Sequence, residues 1–341
     1  MRICYYGIPA GNPKEGDKMT GMTKSLVLFS GSANPELAQE ICEKLNIKLG
    51  DEVLEQFSNG EIYAKYPKAV RGADVFIVQS IAGEHLNDAL MEMLVMIDAA
   101  KRASARTITA VVAHYAYARQ DRKASPREPI TAKLVANLLT VAGTDRIITI
   151  DLHQGQIQGF FDIPVNHLTA LPILVDYFEK KNFDKKNTCV VSPDLGRAKA
   201  AKKFADMMEV DLAIMHKGRP KHNQAEITAL IGDVKGKTCI LNDDMIDTGG
   251  SVVAAVDTLI KKGAKEVYVC ATHPVFSGPA YDRLLNSQIK EIVVTNTIPV
   301  PEEKRGDKIK VVSVAGTFAN AIQRVYSNES IAELFDPDFV L

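Results

Sequence analysis

CILNDDMIDTGGSVV, residues 239–253, runs from an apolar strand through a carboxylate-rich turn into the start of a helix. The strand leads into Asp243 and Asp244. Asp247, Thr248, Gly249 and Gly250 form the turn, and Ser251 opens the helix. Open α/β sheets bind their ligands at the carboxyl ends of strands. Adjacent glycines let backbone N–H groups turn toward an anion, and a helix N-terminus adds partial positive charge. Thr248 and Ser251 bring hydroxyl donors to the same place. The carboxylates would repel a phosphate, but they accept hydrogen bonds from sugar hydroxyls. Carboxylates followed by glycines therefore point to a phosphorylated sugar lying along the turn. A capped helix start by itself needs no such acids on the strand before it.

Outward from this segment the chain alternates. Apolar runs without polar alternation occupy residues 26–29, 75–79, 108–113, 146–150, 188–192, 211–215, 238–241, 266–271 and 291–295. Strands buried on both faces read this way. Helical apolar spacing fills residues 35–45, 86–100, 130–141, 171–180, 197–208 and 251–262. Such alternation predicts an α/β fold with parallel sheets covered by helices. The 341 residues exceed what one core supports, so two similar domains of roughly 150 residues each are expected. They are placed at 23–166 and 167–341. Residues 1–22, rich in Gly, Pro, Lys and Asp, read as an appended tail.

Lys plus Arg, 41, nearly cancel Asp plus Glu, 42, so no nucleic-acid footprint shows in the overall charge. No apolar run approaches the ~18 residues of a membrane span, and the first residues lack the apolar stretch of a signal peptide. A cytoplasmic protein with neither nucleic acid nor membrane as partner is expected. Cys4, Cys42, Cys189, Cys239 and Cys270 show no CxxC spacing. The last three sit in apolar runs and read as buried free thiols.

Two further clusters end strands. DLHQGQIQGFFDIPVNHL, residues 151–168, puts Asp151 and His153 where a metal or phosphate site belongs. YARQDRK, residues 117–123, gathers Arg119, Gln120, Arg122 and Lys123. Arginine forks suit polyphosphate. GDVKGKT, residues 232–238, is one residue short of a phosphate-binding P-loop and precedes a strand instead of following one. It is set aside.

Residues 239–253 resemble the phosphoribosyl pyrophosphate loop of phosphoribosyltransferases, and residues 151–168 resemble the signature of ribose-phosphate diphosphokinases. The second resemblance spreads over about residues 24–335. It implies two phosphoribosyltransferase-like domains, each with a mainly parallel sheet flanked by helices. It implies transfer of the pyrophosphoryl group of ATP to ribose 5-phosphate, giving AMP and phosphoribosyl pyrophosphate for nucleotide biosynthesis. It also implies Mg²⁺ and a homo-oligomer, commonly a hexamer, with active sites shared between subunits.

Residue roles follow from the same resemblance. FSNGE, residues 57–61, matches an adenine-binding hairpin: Phe57 stacks on the base, Asn59 and Glu61 read its edge, and Gly60 makes the turn. Arg119, Gln120, Lys123 and His153 complete the ATP side. VSPDLG, residues 191–196, supplies Asp194, which with His153 faces the metal. HKGRPK, residues 216–221, matches a flexible catalytic loop whose Lys217 and Arg219 act on the transferring group, Arg219 also facing the ribose phosphate. Asp243, Asp244 and Asp247 hold the ribose side, and Thr248, Gly249, Gly250 and Ser251 hold the 5-phosphate.

The chain departs from the family pattern at four places. Pro126 and Ala315 replace serines of phosphate-activated relatives, although Arg71 and Arg127 remain to receive an anion. Arg197 stands where a second glycine is typical, and Asn166 replaces a common Asp. Two other readings are a non-catalytic, diphosphokinase-associated regulatory subunit and a phosphoribosyltransferase acting on a base. Intact Lys217, Arg219, His153 and the Asp-Thr-Gly-Gly-Ser loop weigh against the first. A second α/β half weighs against the other.

Overall fold

The computed structural model describes residues 25–332 apart from 222 and 223, and only the backbone of 217–221 and 224–228. The expected tail, 1–22, lies outside the described residues. In the first half the elements are β1 (Leu26–Ser30), α1 (Pro35–Leu45), β2 (Val53–Gln56), β3 (Ile62–Lys65), β4 (Asp74–Ser80), α2 (Leu86–Arg102), β5 (Thr107–His114), α3 (Thr131–Ala142), β6 (Arg146–Ile150) and β7 (Val165–Leu168). Then follow α4 (Leu171–Glu179), β8 (Thr188–Ser192), α5 (Ala198–Met208), β9 (Asp211–Lys221), β10 (Gln224–Ile231), β11 (Thr238–Ile246) and α6 (Gly250–Lys261). The chain continues with β12 (Glu266–Pro274), α7 (Ala280–Leu285), β13 (Glu291–Thr295), α8 (Glu302–Arg305), β14 (Ile309–Val312) and α9 (Ala315–Ser327).

One sheet has the order β1-β4-β5-β6-β7 and is parallel throughout. The second has the order β10-β9-β8-β11-β12-β13-β14, with only β9 and β10 antiparallel. Every residue of β4 and β8 is buried, which is why neither shows polar alternation. The α/β class with mainly parallel, helix-flanked sheets is borne out. β7 straddles the 166/167 break placed by sequence, and its register against β6 continues to Leu168.

Two local expectations change. Residues 216–221, read as a loop, continue β9, because antiparallel pairing with β10 extends the ladder to Lys221. Asp243 and Asp244 lie inside β11 instead of ending it. Pairing with β8 stops at Leu241, but pairing with β12 runs on to Ile246. Residues 242–246 therefore keep one edge free of a strand neighbour, and this opening falls at the carboxyl ends of β8 and β11. The order of the second sheet reverses there, since β9 lies on one side of β8 and β11 on the other. Ligand crevices of open sheets form at such points.

The C-terminal helix joins the two halves. Ala315, Phe318, Ala319 and Ile322 are spaced as one helical face. They pack with Leu28, Leu37, Ile41 and Phe76 of the first half. The last helix thus closes over the first sheet, and Ala315 is buried in that core. Cys42, Cys189, Cys239 and Cys270 are buried free thiols.

Phe318 is fully buried. Phe318→Ala is expected to lower unfolding free energy by ~3–5 kcal/mol in denaturant titrations. A loss below about 1 kcal/mol would mean that α9 does not help hold the first half.

Candidate active site

A cavity of about 360 Å³ opens where the two halves face each other. Arg119, His153 and Gln154 line it from the first half. Asp194, Arg197, Asp243, Asp244, Asp247, Thr248, Gly249 and Ser251 line it from the second. Each stands just past, or inside, the carboxyl end of a strand. Arg119 follows β5, His153 follows β6, Asp194 follows β8, and the acidic group belongs to β11 and its turn.

The turn into α6 explains its glycines. Gly249 has φ +73, and a Cβ there would come within 3.3 Å of Leu284. A larger residue is opposed by both backbone and packing. The first N–H groups of α6 have no intrahelical partners. With the Thr248 and Ser251 hydroxyls they form a cradle suited to an anion.

Two ion pairs cross between the halves. His153 Nδ1 donates to Asp244 Oδ2 at 2.7 Å; a carboxylate only accepts, which fixes the direction. Arg119 lies 2.7 Å from Asp247 Oδ2. The hydrogen bond with Asp244 raises the His153 pKa against the opposing effect of burial. Burial alone would raise Asp244, but His153 and Arg197 hold it below the usual carboxylate range. Burial, then the neighbouring Asp244 charge, push Asp243 up. Asp247 is also opposed by burial, yet hydrogen bonds from Ser277 and Arg119 bring it down.

Several expected residues lie elsewhere. Phe57, Asn59, Gly60 and Glu61 do not line the cavity. They form the exposed tip of the β2–β3 hairpin, where Asn59 Oδ1 accepts the Glu61 N–H at 3.1 Å and Phe57 packs on Tyr63. Gln120 and Lys123 are exposed beyond Arg119, and Gly250 starts α6 behind Gly249. The side chains of Lys217 and Arg219 lie outside the described residues. Asp151 is turned to structural work instead of metal or phosphate. Its Oδ2 accepts from Ala170 N at 3.0 Å and Thr272 Oγ1 at 2.6 Å. Its backbone carbonyl accepts from His273 Nε2 at 3.1 Å. These bonds hold a non-glycine residue at φ +40, a conformation that persists only where surroundings fix it.

The sequence reading missed this support and the role of Arg197. His273 packs edge-on against His114 at 4.9 Å, joining β12 to β5 behind the site. Histidines at the ends of two apolar strands were the available signal. Arg197 had been noticed only as an oversized replacement for glycine.

Among the described residues, no three His, Cys, Asp or Glu side chains are grouped to hold a metal ion. His153 and Asp194 nonetheless fit a cation carried mainly by substrate oxygens. Asp194 Oδ1 is engaged by the Arg197 N–H at 3.1 Å, leaving its second oxygen for the cavity. Mg²⁺ commonly takes one or two carboxylates, with substrate phosphates and water supplying the rest.

Known proteins resemble this chain over most of its length. Residues 26–143 match the family profile of the N-terminal domain of ribose phosphate pyrophosphokinase. Residues 219–336 match the phosphoribosyl synthetase-associated domain. A ribose-phosphate pyrophosphokinase from Caldanaerobacter subterraneus subsp. tengcongensis is 54% identical over 317 residues, covering 93% of this chain and 100% of the relative. One from Fusobacterium nucleatum is 52% identical, covering 91% and 98%. The crystal structure of phosphoribosylpyrophosphate synthetase from Mycobacterium smegmatis superposes with a TM-score of 0.84 at 48% identity, covering 89% of this chain and 99% of that one.

Burial pushes the His114 pKa down from 6.5 to about 3. Below its ordinary value the unfolded imidazole takes up a proton and the folded one does not, so stability falls as pH falls through that window. His114→Gln is expected to flatten the acid slope of unfolding free energy by about 1.4 kcal/mol per pH unit between about pH 6 and 4. An unchanged slope would mean His114 titrates normally in the folded protein.

Proposed function

The chain belongs to the ribose-phosphate pyrophosphokinase family, and we propose that it transfers the pyrophosphoryl group of ATP to the anomeric hydroxyl of ribose 5-phosphate, giving phosphoribosyl pyrophosphate and AMP. The observation that carries this reading is the His153–Asp244 contact. It brings His153, with Arg119 nearby, against Asp243, Asp244 and Asp247 in one cavity, which supports an ATP side facing a ribose side.

The α6 cradle of Thr248, Gly249, Gly250 and Ser251 takes the 5-phosphate. Asp243, Asp244 and Asp247 face the sugar hydroxyls and aim the anomeric oxygen at the β-phosphorus of ATP. Arg119 and His153 bring cationic donors to the polyphosphate, and Gln120 and Lys123 extend that side. Transfers of this kind depend on positioning and charge neutralisation more than on covalent help. Mg²⁺ would be held by ATP oxygens, water and Asp194, with His153 reaching it through a water or a phosphate oxygen, and would supply further neutralisation. Lys217 and Arg219 sit on the β9 backbone beyond Ile214, where its pairing with β8 ends. They act on charge that develops during transfer, and so on turnover more than on ground-state binding.

The Phe57–Glu61 hairpin tip does not line the cavity of its own chain, and Phe57 is about half exposed. A homo-oligomer, a hexamer by family resemblance, in which this hairpin places adenine-binding side chains in a neighbouring subunit's site accounts for that exposure. A soluble enzyme of the cytoplasm fits the reading, and no described helix is long and apolar enough to cross a membrane. The halves are assigned as domains at 23–166 and 167–341.

With Mg-ATP and ribose 5-phosphate, the purified chain is expected to form AMP and phosphoribosyl pyrophosphate one-for-one. Lys217→Ala is expected to lower kcat by about 10²–10³ while both substrates still bind. Ribose-independent AMP, or no AMP despite binding of both substrates, would remove the enzyme assignment.

A further inference from the structure

Arg197 stands at the floor of the cavity with an unusual set of neighbours. Its Nε lies 3.9 Å from Asp243 Oδ1 and 3.9 Å from Asp244 Oδ1. Neither distance is a hydrogen bond. The Nε atom is buried and has no hydrogen-bond partner, although a buried guanidinium N–H left unpaired is costly. The rest of the side chain keeps about 21% of its surface exposed and lines the cavity.

The carboxylates on either side differ in their other partners. Asp244 also accepts from His153 through Oδ2. Asp243 Oδ1 accepts only the backbone N–H of Asp244, at 2.8 Å. Two neighbouring carboxylates, both largely withdrawn from water, repel each other unless a cation stands between them. Arg197 is that cation. A shift of about 1 Å brings Nε to hydrogen-bond distance of either acid. The donor is therefore shared, and can settle on one carboxylate when the other turns to a ligand.

We infer that Arg197 is a positioning residue of the ribose side. It holds Asp243 and Asp244 as an oriented pair of acceptors before the sugar arrives, and keeps Asp244 paired once Asp243 accepts a sugar hydroxyl. The inference rests on the ribose 5-phosphate reading of this cavity. The guanidinium acts through the carboxylates, so its removal disturbs one substrate and spares the other.

The test uses the full chain with three variants. Arg197→Met keeps the length of the side chain without its charge, Arg197→Lys keeps the charge, and Arg197→Gly removes the side chain. Steady-state kinetics would be measured with each substrate varied, together with calorimetric binding of ribose 5-phosphate. Arg197→Met and Arg197→Gly are expected to raise KM and Kd for ribose 5-phosphate about tenfold, equivalent to about 1.4 kcal/mol. KM for ATP should stay within about twofold and kcat within about threefold, and Arg197→Lys should recover most of the loss. An unchanged or lower KM for ribose 5-phosphate in Arg197→Met would overturn the inference. So would an equal effect on both substrates, which marks a general structural role. A wild-type chain without ribose-dependent turnover would bring down the parent reading and this inference with it. An active wild type with an indifferent Arg197→Met would bring down this inference alone.

Discussion

His153 and Asp244 come from different halves of the chain, 91 residues apart, and meet at 2.7 Å. This contact decides which groups can share a cavity. Behind it, Thr272 and His273 of β12 grip the carboxylate and carbonyl of Asp151, two residues before His153. Ser80 Oγ donates to the Thr297 carbonyl at 2.6 Å, and Asn34 donates to the Asn296 carbonyl at 2.9 Å. Helix α9 adds an apolar seal over the first sheet. The halves are thus fixed on three sides of the site, and the imidazole has little freedom to leave its carboxylate.

Such an arrangement is costly to build. Asp243, Asp244, Asp247 and Asp194 bring four acids to one cavity. Arg119, Arg197 and His153 offset them from within the chain. Buried ion pairs add little net stability. The physical sense of these lies in orientation, since groups already fixed and desolvated need not reorganise when charge develops.

Much of this was legible in the chain. The Asp-Thr-Gly-Gly-Ser turn gave its own geometry, because a glycine at positive φ and a helix start leave few alternatives. His153 and Asp194 were readable as strand-end residues. Less legible was anything that depended on which strand lies beside which. Asp243 and Asp244 looked like a strand end because the apolar run stops at Leu241. They remain in β11 because β12 is a longer neighbour than β8. Asp151 looked like a ligand until Thr272, 121 residues away, claimed its carboxylate. Arg197 read only as a departure from glycine, since no local pattern shows that two acids of another strand lie beside it. The return of α9 to the first core was invisible for the same reason.

The central claim is that His153 and Asp244 act as one unit across the two halves. A double-mutant cycle with His153→Asn and Asp244→Asn, read as kcat/KM for ATP at saturating ribose 5-phosphate, tests it most directly. If the pair is the hinge of the site, the double variant is expected to lose little more than the worse single variant, a coupling of at least about 1.4 kcal/mol. Losses that simply multiply would show that the two residues act independently, and that the contact between the halves does not organise the site.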